Sequence, residues 1–175
     1  MSKKKLMASI SLDLDDKWSY MKVHGDEGWE KFPSYLDIVL PITLDILDKL
    51  DIKITFFIVG QDAAIEKNHP VLRSIVERGH EVAKHSFHHE SWLKTYSKEK
   101  IEEEIRIAEE AILKATGKRT NMFRGPGFSW SNDLLEVLEK RGYIFDASLL
   151  PTYLSPLMRK YYFAKSNLSA EEKES

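Results

Sequence analysis

Three of the chain's six histidines fall within five residues, His85-Ser86-Phe87-His88-His89, far downstream of an acidic cluster, Asp13-Leu14-Asp15-Asp16. This combination reads as a split metal site. Imidazoles four residues apart project to one side of a helical turn, and a carboxylate from elsewhere in the chain can complete a three-ligand face that leaves a fourth position open for water. An open position suits catalysis, because a bound divalent cation lowers the pKa of its water to roughly 7 and polarises a carbonyl. Histidine clusters also occur in solvated loops, so the positions of the other polar residues must decide.

Those positions follow from the hydrophobic pattern. A first strand is expected around residues 7 to 13, then an aromatic loop from Lys17-Trp18 through Trp29, then a helix capped by Ser34 and running to about Leu50, with Pro41 as a kink. Ile52 to Val59 is rich in β-branched and aromatic residues and predicts a strand buried on both faces. Pro70 to Arg78 predicts a helix closed by Gly79, and His80 to Lys84 a third strand. Ser97 opens a charged helix closed by Gly117, with an apolar stripe of Ile101, Ile105, Ala108 and Ile112; its Glu102-Glu103-Glu104 run is expected to face solvent. A strand at Asn121 to Phe123, a helix from Ser131 to Gly142 and a fifth strand at Tyr143 to Phe145 complete the alternation.

Alternating strands and helices imply a parallel sheet or barrel, whose sites collect at the C-terminal ends of the strands. Asp15 and Asp16 follow the first strand, His85 and His89 the third and Arg124 the fourth, while Asp146 ends the fifth. Convergence of these residues on one site is the expectation. Asp13 alternates with Leu12 and Leu14, so it is expected either to line the interior near that site or to pair with a lysine.

Composition narrows the function classes. The 175 residues favour one domain over residues 1–175, and 42% hydrophobic with 31% charged residues is ordinary for a globular protein. A net charge of -2 leaves no electrostatic footprint for nucleic acid or an anionic membrane surface. No apolar stretch approaches the roughly 20 residues that span a bilayer, and Asp13 ends the first apolar run too early for a signal peptide, so a cytoplasmic location is expected. With no cysteine, any metal must sit on nitrogen and oxygen donors.

The motifs resemble the polysaccharide deacetylases, carbohydrate esterase family four. Asp13-Leu14-Asp15-Asp16-Lys17 is similar to the family's Thr-Phe-Asp-Asp-Gly, His85-Ser86-Phe87-His88-His89 to His-Ser/Thr-x-x-His, Arg124-Gly125-Pro126-Gly127-Phe128 to Arg-x-Pro-x-Gly, and Phe145-Asp146-Ala147-Ser148 to the fourth motif. The resemblance implies an α/β fold, an irregular (β/α) barrel, and a metal-dependent hydrolase that removes N-acetyl or O-acetyl groups from a carbohydrate. It implies Asp15 as general base, Asp16, His85 and His89 as ligands of Zn2+ or another divalent metal (Co2+, Ni2+ or Mn2+), Arg124 as the partner of Asp15, Gly127 at the oxyanion, and Asp146 lining the pocket.

Two departures shape the expectations. Lys17 and Trp18 replace the Gly and Pro that follow the family's aspartates, so Trp18 is expected to contact substrate, and small non-sugar amides become an alternative substrate class. The fifth motif, which supplies the family's acid histidine, has no counterpart, since no histidine follows His89. The alternative is then a catalytically weak or inactive metal-binding member. A barrel incomplete at its C-terminal side is expected, with that side left open or closed by a second copy in a homo-oligomer. Ser166 to Glu172 reads as the capped first turn of a helix. His88 is expected to point away from the site, and His80 to be a packed or capping histidine.

Overall fold

The computed structural model describes residues 8–149 and Tyr161. Five strands, β1 (Ser11–Leu14), β2 (Thr55–Ile58), β3 (Glu81–Lys84), β4 (Met122–Phe123) and β5 (Phe145–Asp146), form one parallel sheet in the order of the chain. The helices are α1 (Lys17–His24), α2 (Leu36–Lys49), α3 (Gly60–Ala64), α4 (His69–Glu77), α5 (Lys98–Thr116) and α6 (Asn132–Lys140). This is the expected α/β alternation. Among the described residues the sheet is open, with β1 and β5 at its edges. The expected turn at Ser166 to Glu172 lies outside the described residues.

Local chemistry explains the elements. The Ser97 side chain accepts from the Lys100 N–H at the start of α5, and Gly117 closes that helix at φ 74°. Ser131 caps α6 in the same way, on the Leu134 N–H. Tyr35 rather than Ser34 occupies the N-cap of α2; the Ser34 hydroxyl is bonded to Asn68 and also accepts from the Leu36 N–H at 3.4 Å. In α2, Leu36, Leu40 and Leu44 repeat every fourth residue and pack with Leu72 and Ile75 of α4 and Ile112 and Ala115 of α5 against Phe56, Ile58 and Val82 of the sheet. A second cluster joins Ile101 and Ile105 of α5 to Phe123 of β4 and Leu134, Val137 and Leu138 of α6.

The period of two along a strand sorts the rest. Leu14, Phe56, Ile58 and Val82 face this helix-side core, whereas Asp13 and Phe57 are register partners on the other face. There the Arg124 guanidinium lies 4.0 Å from the centre of the Phe57 ring. The sheet thus presents Ser11, Asp13, Phe57 and Arg124 on one side.

Two expectations are corrected. The segment after β1 is a helix, α1, and not an aromatic loop: no Gly or Pro interrupts Lys17 to His24, and buried Trp18 and Val23 anchor it. Glu104 is buried although Glu102-Glu103-Glu104 was expected to face solvent, because its carboxylate turns inward to the loop after β3. No helix among the described residues is long and apolar enough to cross a membrane.

Candidate metal centre

The C-terminal ends of β1 and β3 bring together Asp15, His85 and His89, whose ligand atoms all lie within 4.8 Å of one another. Asp15 Oδ1 is 3.3 Å from His89 Nε2 and 3.7 Å from His85 Nε2. That oxygen is buried without a hydrogen-bond partner. Two donors each about 2.0–2.1 Å from a shared ion at a tetrahedral angle stand roughly 3.3 Å apart, so the spacing fits a small divalent cation. The His85 Nδ1 is bonded to the Arg124 carbonyl at 2.7 Å, which fixes the tautomer whose Nε2 lone pair faces Asp15. Burial, aided by the nearby His89, lowers the pKa of His85 and keeps it neutral, as a ligand must be. Burial opposes ionisation of Asp15, but the neighbouring imidazoles, His89 above all, and the Tyr20 hydroxyl outweigh it and hold the carboxyl below its ordinary range.

The histidine segment is not a helical turn. Ser86 and His89 adopt positive φ, 56° and 55°, so the two rings meet by way of a tight loop, with centroids 5.0 Å apart. His88 points away as expected, its ring nitrogen bonded to Glu104. His80 accepts from the Ile54 N–H inside the core.

Asp16 stands elsewhere. Alternation past β1 turns Asp13 and Asp15 to one face and Asp16 to the helix side, where its Oδ1 accepts from the Tyr35 N–H at 3.4 Å. There it adjoins Asp62 of α3, a fully buried residue that the sequence did not single out. Trp18 is also inside: it is 3% exposed and its indole donates to Asp62 Oδ1 at 2.7 Å, so the expectation that it contacts substrate gives way to a packing role. Burial, opposed by the Trp18 bond but reinforced by Asp16, raises the Asp62 pKa well above the carboxylate range.

A folded-state pKa above the unfolded one means that the folded protein holds the extra proton. The associated stability is present at acid pH and is lost as the pH rises from about 4 through the folded-state value of about 8. Asp62→Asn keeps an acceptor for Trp18 and offers Asp16 a permanent donor. Thermal melts of the metal-free protein from pH 4.5 to 8 should show the variant losing less stability with pH than the parent; parallel curves would refute the assignment.

Arg124 also binds a different aspartate from the one expected. Its Nη1 donates to Asp13 Oδ1 at 2.5 Å and its Nη2 to Ser11 Oγ at 2.7 Å. Asp13 Oδ2 is 3.9 Å from His85 Nε2, at the margin of the triad. Gly127, φ 57°, sits in the turn after β4 in a conformation that residues with a Cβ disfavour, and a Cβ there would lie a tight 3.1 Å from Ser91 Oγ. Asp146 braces the same turn. Its Oδ1 accepts from the Ser148 hydroxyl at 2.5 Å, and that hydroxyl accepts from the Gly125 N–H at 2.7 Å.

The family model described as polysaccharide deacetylase matches residues 25–145. The chain belongs to the polysaccharide deacetylase family. Among curated relatives, a peptidoglycan-N-acetylmuramic acid deacetylase of Bacillus subtilis is 32% identical over 105 residues, 59% of this chain and 38% of that protein. A peptidoglycan deacetylase of Helicobacter pylori is 26% identical over 161 residues, 87% of this chain and 53% of that protein. The crystal structure of a Mycobacterium smegmatis protein assigned to the polysaccharide deacetylases superimposes with a TM-score of 0.69 at 25% identity, covering 81% of this chain and 50% of that one. The chain thus spans about half, or less, of the length of these relatives. Dependence on a divalent metal is a general property of the family.

Proposed function

We propose that this chain carries the metal-binding and water-activating part of a hydrolase that removes acetyl groups, first of all N-acetyl groups, from a saccharide. The observation that supports this reading is the adjacency of two half-sites: Asp15, His85 and His89 as a ligand face, with the Asp13–Arg124 pair at its edge. Zn2+ is the proposed ion, with Co2+, Ni2+ or Mn2+ as substitutes of similar ligand preference. A bound divalent cation would supply positive charge that acidifies water and stabilises a developing oxyanion.

The chain's own groups do the rest. Arg124 and Ser11 fix Oδ1 of Asp13 through the guanidinium, which leaves Oδ2 turned to the triad as the base that takes a proton from the attacking water. The Gly127 N–H is the proposed backbone donor to the oxyanion, in a turn held by Asp146 and Ser148. The remaining histidines among the described residues are engaged elsewhere: His24 at the Tyr20 carbonyl, His69 at the Ala63 carbonyl, His80 at Ile54 and His88 at Glu104. In this reading the proton that Asp13 accepts is the one returned to the departing amine.

Purified protein should retain about one equivalent of metal and release acetate from N-acetylated oligosaccharides, and His85→Ala should lose both. An arm with cyclic ureides or imides tests the small-amide class. Protein that binds metal but releases neither acetate nor ureide product over hours would be a binding module, and the catalytic reading would fall.

A further inference from the structure

His89 reaches the candidate centre only because its backbone adopts a left-handed conformation, which residues with a Cβ disfavour. Something must hold it there. The Ser86 hydroxyl accepts from the His89 N–H at 3.1 Å, but Ser86 itself has positive φ and belongs to the same loop. The external support comes from two helices. From α5, the buried Glu104 carboxylate accepts the N–H groups of Phe87 and His88, each at 3.1 Å, and also takes the His88 ring nitrogen. From α1, the Lys22 ammonium donates to the His88 carbonyl at 3.0 Å while paired with Glu90 at 2.8 Å and stacked 5.1 Å from the centre of the Trp29 ring.

His88 is thus gripped at both of its peptide groups, its N–H by an anion and its C=O by a cation. That carbonyl belongs to the peptide bond that ends at the His89 nitrogen. We propose that Lys22 and Glu104 are positioning residues that clamp the His88 peptide and thereby set the affinity of the centre for its cation. The proposal rests on the reading of Asp15, His85 and His89 as metal ligands.

Two further observations support a role in positioning beyond general stability. Lys22 and Glu90 are a largely desolvated pair, with side chains 11% and 17% exposed, and such pairs often stabilise no better than apolar residues of similar volume. The same helix also contacts the ligand carboxylate, since the Tyr20 hydroxyl donates to Asp15 Oδ2 at 3.3 Å. One short helix therefore touches both the carboxylate and the histidine loop.

The test uses the full chain, with Zn2+ affinity measured by competition against a chromophoric chelator and ligand geometry read from the visible spectrum of the Co2+-loaded protein. Lys22→Met and Glu104→Gln are each expected to weaken Zn2+ binding by about 10- to 100-fold, the range typical of groups that orient a metal ligand, and to alter the Co2+ spectrum. Lys22→Arg should recover most of the affinity because it restores a donor to the His88 carbonyl. Lys53→Met, which removes an exposed ion pair with Asp48, is the control for general destabilisation and should change neither readout. If Glu104→Gln does not fold, the Lys22 variants decide the matter. Wild-type affinity and spectrum in Lys22→Met would overturn the clamp while leaving the metal centre intact. A parent protein that binds no divalent cation would overturn both.

Discussion

Asp15→Asn is expected to weaken divalent-cation binding by about 100-fold or more, and Asp16→Asn to leave it within a few-fold of the parent. Removing a group that only orients a ligand already costs about 10- to 100-fold, so loss of a ligand itself should exceed that range. The contrast follows from where the two side chains lie. Asp15 Oδ1 stands between the Nε2 atoms of His85 and His89, whereas Asp16 is turned to the other side of the strand end, beside Asp62 and the Tyr35 N–H. Equilibrium dialysis with metal analysis of both variants measures the difference directly. The reverse order of affinities would return the ligand role to Asp16.

The second large effect separates chemistry from metal binding. Asp13→Asn should keep the cation, because Asp13 lies at the edge of the triad and is tied to Arg124, yet it should lower kcat by about 10² to 10⁴, the contribution usual for a general base. Steady-state kinetics on an N-acetylated oligosaccharide, with metal content determined on the same preparation, provide the check. A fall in metal content that parallels the fall in rate would show Asp13 to be a ligand instead, and unchanged kcat would remove it from the mechanism.

Much of this was legible in the residues. The alternation of strands and helices follows from apolar periodicity and from strong punctuation such as Ser97, Gly117 and Ser131, so five parallel strands with polar residues at their ends could be anticipated. The pairing of His85 with His89 could be read as well. What misled was the adjacency of Asp15 and Asp16, which invites alignment with the family's Asp-Asp pair. Strand alternation carries the opposite message: residues 13 and 15 share a face and residue 16 does not. Asp13, already placed on the face away from Leu12 and Leu14, held the signal that it and Asp15 lie together beside the histidines. Glu104 and Asp62 were less accessible to such reasoning. Glu104 sits in a run of three glutamates on a helix, and only the packing of α5 against the loop after β3 decides which one turns inward. Asp62 lies in a five-residue helix with no periodic pattern to mark its buried side.

Arg124 serves the two half-sites with different parts of itself. Its main-chain carbonyl sets the tautomer of His85, and its guanidinium sets the direction of Asp13. A side-chain scan samples only the second function: Arg124→Ala would disturb Asp13 while the carbonyl bonded to His85 remains. Such a scan would register Arg124 only through Asp13 and miss the part its backbone plays in orienting the His85 ring. That part becomes visible only when the backbone itself is altered, for example by an ester in place of the Arg124–Gly125 amide, which weakens the carbonyl as an acceptor and leaves the guanidinium untouched.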